Sequence, residues 1–420
     1  MRTQVAIIGC GPAGTSVAIS LQEHGIECVM IEKKQFPRFH IGESMTGECG
    51  ASVRALGVEA KMKESNYPIK WGAKMYGKGG QNAFYVPVMK RDKMGKLVKQ
   101  STWQVRRSDF DKMLLDASRE RGLKIIDAEV DNVIRNEDGS LNGLIYSTKD
   151  GKEHKVYADV IVDCSGLNTF LANKKITSKK ERGVYDNQIA IFSHFKGCVR
   201  PKPLEDEELM PDDTLLFYLK KHHWAWFIPL DGDTVSIGIV TPTSYYKSKN
   251  ETKQEFLLGE MKSLNPKLAE RVLDAELVED VHACSNYSYQ IHDFTGKNWL
   301  CIGDAHRFID PIFSLGLHFS MSEGRKAVKV ISDYLDGKSA DMDAPFLAHQ
   351  NECERGMDVI QDLLDAFWDY PLAFSLYMKD KKYSDDLIDM FAGRVYDIEP
   401  SEGLKVLRRL NQKEHLNAAV

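Results

Sequence analysis

No apolar stretch in the 420-residue chain approaches the roughly 18 residues that a membrane-spanning helix requires. The eight cysteines are scattered, without a C-x-x-C pair, so neither a zinc site nor a disulfide framework is expected. There is no excess of positive charge. The 56 lysines and arginines face 61 aspartates and glutamates, a net charge of −5, which argues against a dedicated nucleic-acid binder. The N-terminus lacks a signal-peptide pattern, so a cytoplasmic enzyme is expected, without a membrane partner. No repeat or low-complexity segment is apparent. What remains is an ordinary globular composition, 43% hydrophobic and 28% charged. Its length suits two or three domain-sized units, or one large domain with an insertion.

The first 32 residues read as a βαβ unit. Val5–Ile8 is an apolar run fit for a buried parallel strand, Ala13–His24 has helical character and stops at Gly25, and Cys28–Ile31 is a second strand ending at Glu32. Val160–Asp163 leading to Ser165-Gly166, and Trp299–Ile302 leading to Gly303-Asp304, resemble the first strands and can neighbour them in one sheet if the intervening chain makes its own layer. Alternating stretches such as Leu215–Tyr218 and Val235–Val240 predict a second sheet, inserted around 66–105 and 175–285. A core over 1–335 and a helical region over 336–420 follow, the latter with Phe367, Trp368, Tyr370, Phe374 and Tyr377 mostly in a core. Two charge runs read as solvated loop tips rather than docking surfaces: Lys90, Arg91, Lys93, Lys96 and Lys99 on a hairpin around Gly95, and Glu205–Glu208 with Asp212 and Asp213.

Gly9, Gly11 and Gly14 form G-x-G-x-x-G between a strand and a helix, with Glu32 at the next strand end. This pattern permits a tight turn and brings a pyrophosphate to a helix N-terminus, where free N–H groups favour an anion. Pro12, Ala13 and Lys33 belong to the same site, and Glu32 suits an adenosine ribose. Arg38, Ser44 in Gly42-Glu43-Ser44, and Arg107 follow. Asp304 suits ribose or ribityl hydroxyls, and Ser314-Leu315-Gly316 opens a further helix toward Leu335, adding Pro311 and Leu317. In this order the motifs resemble the flavoprotein aromatic-hydroxylase architecture, an α/β fold with a Rossmann-type FAD domain, and imply FAD. A second dinucleotide motif is missing, so reduced flavin is expected from a separate flavin reductase.

His223-Trp224-Ala225-Trp226-Phe227-Ile228-Pro229 resembles the G-W-x-W-x-I-P motif of flavin-dependent halogenases, with His223 in place of glycine. Phe308–Gly316 resembles that family's F-x-D-P-x-F-S-x-G run, and Lys70-Trp71-Gly72-Ala73-Lys74-Met75 its K-x-G-A-x-F environment around a catalytic lysine. The resemblance implies that reduced FAD, O₂ and a halide ion produce hypohalous acid, which passes to Lys70 for electrophilic halogenation. It implies Trp224 and Trp226 as a wall beside the flavin, and Ser314, Leu315 and Gly316 as backbone donors to the halide. Lys74 is a rival for the lysine role. In the tryptophan-acting branch a glutamate precedes the Ser-x-Gly turn. Phe313 stands there, which implies a phenol or pyrrole substrate, free or tethered to an acyl carrier protein. His222-His223 reads as exposed or hydrogen-bonded histidines rather than a metal site. The alternatives are an aromatic hydroxylase, a geranylgeranyl-reductase-like flavoprotein, and a non-catalytic binding protein on the same fold.

Overall fold

The computed structural model describes residues 1–202, 209–396, 398 and 401–417, with side chains as far as residue 412. Its first sheet is built on Arg2–Ile8, flanked in parallel by Cys28–Glu32 and by Glu153–Asp163. Lys124–Arg135 extends it beyond Cys28–Glu32, and Trp299–Cys301 beyond Glu153–Asp163. The two long strands run past the parallel layer and pair antiparallel with Leu141–Thr148, forming a second tier. The helix Pro12–Glu23 opens with proline at its first position, where a missing N–H costs nothing. It ends as Gly25 turns at φ 72°, its N–H donating to the Gln22 carbonyl at 2.9 Å.

The expected second sheet is present, with eight strands. At its centre His223–Pro229 lies between Thr214–Lys220 and Val235–Pro242, and Gly72–Tyr76 pairs in parallel with Thr214–Lys220. Side chains alternate across a strand. Trp224, Trp226 and Ile228 therefore enter one apolar layer, while Ala225 and Phe227 enter the layer on the other face. The first layer also contains Phe313, Phe367, Phe374, Phe391 and Leu407, so the helices Leu347–Asp369, Pro371–Lys379, Ser384–Ala392 and Glu402–Asn417 share a core with the tryptophan strand. Phe367, Trp368 and Phe374 are buried as expected, with Tyr370 and Tyr377 packed at the edge of the layer.

The charge runs need correction. Residues 203–208, and with them Glu205–Glu208, lie outside the described residues. Asp213 is fully buried and Asp212 pairs with Arg200 at 2.9 Å, so neither is a solvated tip. The hairpin around Gly95 is present, but its Arg91 is drawn into a pair with Asp389. Among the described residues no helix is long and apolar enough to cross a membrane.

Candidate active site

A groove of about 810 Å³ runs from the glycine turn to the tryptophan strand. It is lined by Gly9, Gly11, Pro12, Ala13, Glu32, Lys33, Arg38, Ser44, Arg107, Trp224, Trp226, Asp304, Pro311, Ser314, Leu315, Gly316 and Leu317. Gly14 and Lys70 are not among its lining residues.

The three glycines have different physical reasons. A Cβ on Gly9, where φ is 99°, would lie 2.6 Å from the Cys164 carbonyl oxygen, and one on Gly14 would lie 2.0 Å from the Gly9 carbonyl oxygen. Both are required by the chain's own packing. Gly11 has ordinary φ, and its Cβ would meet only the Arg38 guanidinium at 3.5 Å. Its lack of a side chain leaves room for a ligand rather than for the fold.

The Glu32 carboxylate accepts the Cys10 and Lys34 amides, both at 2.8 Å. A carboxylate has about four acceptor sites, so capacity for ribose hydroxyls remains. Arg107 forms a fork on Asp111, at 2.7 and 3.0 Å, while holding the Ile41 carbonyl at 2.8 Å. Arg38 lies 3.2 Å from Asp111, and Lys33 pairs with Glu129 at 3.0 Å. Burial raises the Asp304 carboxyl to about 7. The open face at Gly11, the unsaturated Glu32 and the groove-facing Asp304 fit a dinucleotide such as FAD.

Ser314 adopts φ 58° before the helix Gly316–Leu335. Its amide donates to the Pro311 carbonyl at 3.0 Å, so the expectation of three halide donors is corrected. The Leu315 and Gly316 amides have no acceptor among the described residues. They precede the first intrahelical bond, from Phe319 N–H to the Leu315 carbonyl, and are the free donors of a helix N-terminus.

Trp224 and Trp226 are buried side by side, with ring centroids 5.9 Å apart. Trp226 donates to Ser236 Oγ at 3.1 Å, whereas the buried Trp224 Nε1 has no partner among the described residues. The Trp226 ring lies over Gly238, where a Cβ would come within 2.2 Å of it. His223 points the other way and bonds Glu260 at 2.9 Å, and His222 bonds Gln188 at 3.0 Å.

Lys70 lies in a second, smaller chamber of about 40 Å³, space for a few water molecules. Thr214, Leu216, Ile312 and Ser314 line both spaces. The Lys70 ammonium donates to Ser44 Oγ at 2.8 Å and to the Met45 carbonyl at 3.1 Å. Burial lowers its pKa to about 8, against the opposing charge of Asp213. Ala73 and Met75 also line the chamber but Lys74 does not, as the alternation of the strand Gly72–Tyr76 requires. Phe313 lies against Phe391, with ring centroids 4.7 Å apart, and no carboxylate lines the chamber among the described residues.

Sequence reasoning missed the groups that hold these parts. Asp213 accepts the Trp71 and Gly72 amides, each at 2.7 Å, and the Tyr85 hydroxyl at 2.8 Å, fixing the backbone beside Lys70. Gly72 leaves room for the Tyr85 ring, 2.2 Å from where a Cβ would stand. Glu323 accepts the Gly303 amide at 2.7 Å and bonds His306 at 2.9 Å, ordering the turn that carries Asp304. Glu43 lines the groove and bonds His194 at 2.7 Å. Burial opposes charge on His194, but its hydrogen bonds to Glu279 and Glu43 outweigh that and raise the imidazole to about 9. The only local signals were Gly72 and Glu43, inside motifs already noted. The other partners come from distant segments.

Residues 2–344 match the FAD binding domain family. The chain is 38% identical over 395 residues to the 1H-pyrrole-2-carbonyl-[peptidyl-carrier protein] brominase of Pseudoalteromonas luteoviolacea (strain 2ta16), covering 94% of this chain and 93% of that one. It is 27% identical to the corresponding chlorinase of Pseudomonas fluorescens (strain Pf-5), over 98% and 95% of the two chains. The solved structure of the flavin-dependent brominase Bmp2 superposes with a TM-score of 0.91 at 35% identity, covering 99% of this chain and all of that one. Relatedness at this level runs end to end and extends to the fold, and the chain belongs to the flavin-dependent halogenases.

Proposed function

We propose that this halogenase acts on a pyrrole ring held as an acyl group on a peptidyl-carrier protein, with Lys70 as the amine that delivers the halogen. The observation that carries the reading is the buried Lys70 in a chamber beside the groove, with Ser314 in the wall between them. The two pyrrole-carbonyl relatives support the substrate class. Reduced FAD with O₂, when bound, supplies the oxidising power that turns a halide ion into hypohalous acid.

The chain's own groups do the rest. Free amides of Leu315 and Gly316 hold the halide at the positive end of a helix. Trp224 and Trp226 wall the groove and keep the organic substrate from it. With a pKa of about 8, Lys70 is mostly an ammonium at pH 7 and holds hypohalous acid by hydrogen bonding, while its neutral fraction can take up halogen as a haloamine. Phe313 offers no base, and a pyrrole needs none as urgently as an indole benzo-carbon, because its nitrogen stabilises the cationic ring intermediate. Admission of a ring requires the lining to shift, and Met75 is unbranched and readily rearranged. Residues 1–335 form the catalytic core in this proposal, the helices Leu347–Asp369, Pro371–Lys379, Ser384–Ala392 and Glu402–Asn417 of the C-terminal region close it, and a separate reductase supplies the reduced cofactor.

Product mass spectrometry tests this, with FAD, a flavin reductase, O₂ and bromide. The substrates are pyrrole-2-carbonyl on a peptidyl-carrier domain, free pyrroles, phenols and tryptophan. The carrier-bound pyrrole should gain bromine fastest. Faster bromination of free tryptophan would refute the substrate assignment. Rapid halogenation driven by NADPH without a reductase would refute the partner.

A further inference from the structure

The basic hairpin has no part in the site described above, yet it is held firmly at the edge of the Lys70 chamber. Met89–Arg91 and Leu97–Lys99 pair antiparallel and turn through Gly95 at φ 78°, with Asp92 accepting the Met94 and Lys96 amides at 2.9 Å. The first strand starts one residue after Val88, which lines the chamber with Gly47 and Ala392. At that lip a Cβ on Gly47 would touch the Met89 carbonyl at 3.4 Å and Ala392 at 3.5 Å. Arg91 Nε donates to Asp389 at 3.0 Å, and Arg394 joins Glu48 at 2.7 Å and the Met89 carbonyl at 3.0 Å. One of the five cations is therefore used to clamp the hairpin to helix Ser384–Ala392.

The other four have no such use. Lys90, Lys93, Lys96 and Lys99 are exposed, and none has an ion pair among the described residues. They form a local reversal of sign on a chain whose net charge is −5. A wide anionic surface, such as a membrane or a nucleic-acid duplex, would also meet the acidic remainder. A small globular partner that touches only the hairpin meets these four lysines against the single carboxylate of Asp92 in the turn. The resulting positive field steers encounter and fixes orientation more than it adds affinity.

We infer that the 89–99 hairpin is the docking site for an acidic face of the carrier protein that brings the tethered substrate to the Lys70 chamber. The inference rests on the carrier-tethered substrate proposed above.

The test compares native holoenzyme with the fourfold variant Lys90→Glu, Lys93→Glu, Lys96→Glu and Lys99→Glu. The substrates are pyrrole-2-carbonyl on an acidic peptidyl-carrier domain and a free phenol. In the variant the KM for the carrier-bound pyrrole should rise at least about tenfold, with kcat and the free-phenol rate changed less than about twofold. The native KM should also rise with salt, and the variant's much less. An unchanged KM and salt response on the carrier-bound substrate would overturn the docking site while leaving the substrate reading intact. If native enzyme halogenates the phenol but never the carrier-bound pyrrole, the substrate reading itself fails, and the docking site with it. Should the fourfold variant lose FAD binding, the pair Lys93→Ala and Lys96→Ala at the tip serves instead. That pair should raise the same KM about threefold, and an unchanged value would again overturn the inference.

Discussion

Replacing Ser44 by alanine should move the pH profile of halogenation to the acid side. In the native chain the buried Lys70 ammonium has two acceptors, Ser44 Oγ at 2.8 Å and the Met45 carbonyl at 3.1 Å, and its pKa is already lowered to about 8 by burial. A hydrogen bond to a charged group contributes about 1.5–3 kcal/mol. One pKa unit corresponds to about 1.4 kcal/mol, so the loss of Ser44 Oγ should lower the Lys70 pKa by ~1–2 units, to ~6–7. At pH ~7.5 roughly three quarters of the native lysine is charged, and roughly a quarter or less in Ser44→Ala. The assay is the rate of brominated product at saturating reduced FAD across pH ~5.5–9. FAD affinity is measured at each pH, because Ser44 also lines the groove. The direction of the limb reports the chemistry: activity lost above the midpoint means that the ammonium acts, and activity gained means that the neutral amine carries halogen. A midpoint that stays in place in Ser44→Ala would refute the reasoning.

Three further outcomes follow from the same geometry. Lys70→Ala should abolish halogenation while FAD binding and O₂ consumption by reduced flavin stay near native, whereas Lys74→Met should keep most of the activity. The opposite pattern in product assays would reverse the two assignments. Gly11→Val should lose FAD binding, read by flavin fluorescence, with little change in apoprotein melting temperature. Gly14→Val should lower that temperature sharply, since its Cβ would stand 2.0 Å from the Gly9 oxygen. Gly238→Ala should destabilise the protein by about 1–3 kcal/mol through overpacking against Trp226, measured by denaturant titration.

Local signals carried a large part of this protein. The strand–glycine turn–helix unit ending at Glu32 was legible because its chemistry is contained in one short segment: a turn that only glycine permits at Gly9, a proline at the helix start, and a carboxylate at the next strand end. The alternation that places Trp224 and Trp226 on one face was equally local, as was the helix beginning at Gly316. Lys70 and Trp224–Pro229 were found through resemblance to a family motif, since neither a lone lysine nor a tryptophan pair differs in composition from a surface charge or a core.

Only the folded chain decided the rest, because burial and partnership depend on residues far apart in sequence. Lys74 sits four residues from Lys70, a spacing that unbroken alternation would put on the same face, but the break at Trp71 between Ile69–Lys70 and Gly72–Tyr76 turns it away. Asp213 looked like one member of an acidic loop, yet its carboxylate closes on the Trp71 and Gly72 amides, 142 and 141 residues away. Ser44 was assigned to the cofactor alone, and the tertiary structure gave it the Lys70 ammonium as well. The Ser314 amide, counted as a halide donor, was taken by the Pro311 carbonyl in the turn that brings Leu315 and Gly316 into place. A short motif specifies a backbone conformation through sterics within a few residues. The ionisation and hydrogen-bonding capacity of a side chain depend on the electrostatics of whatever the whole fold packs around it.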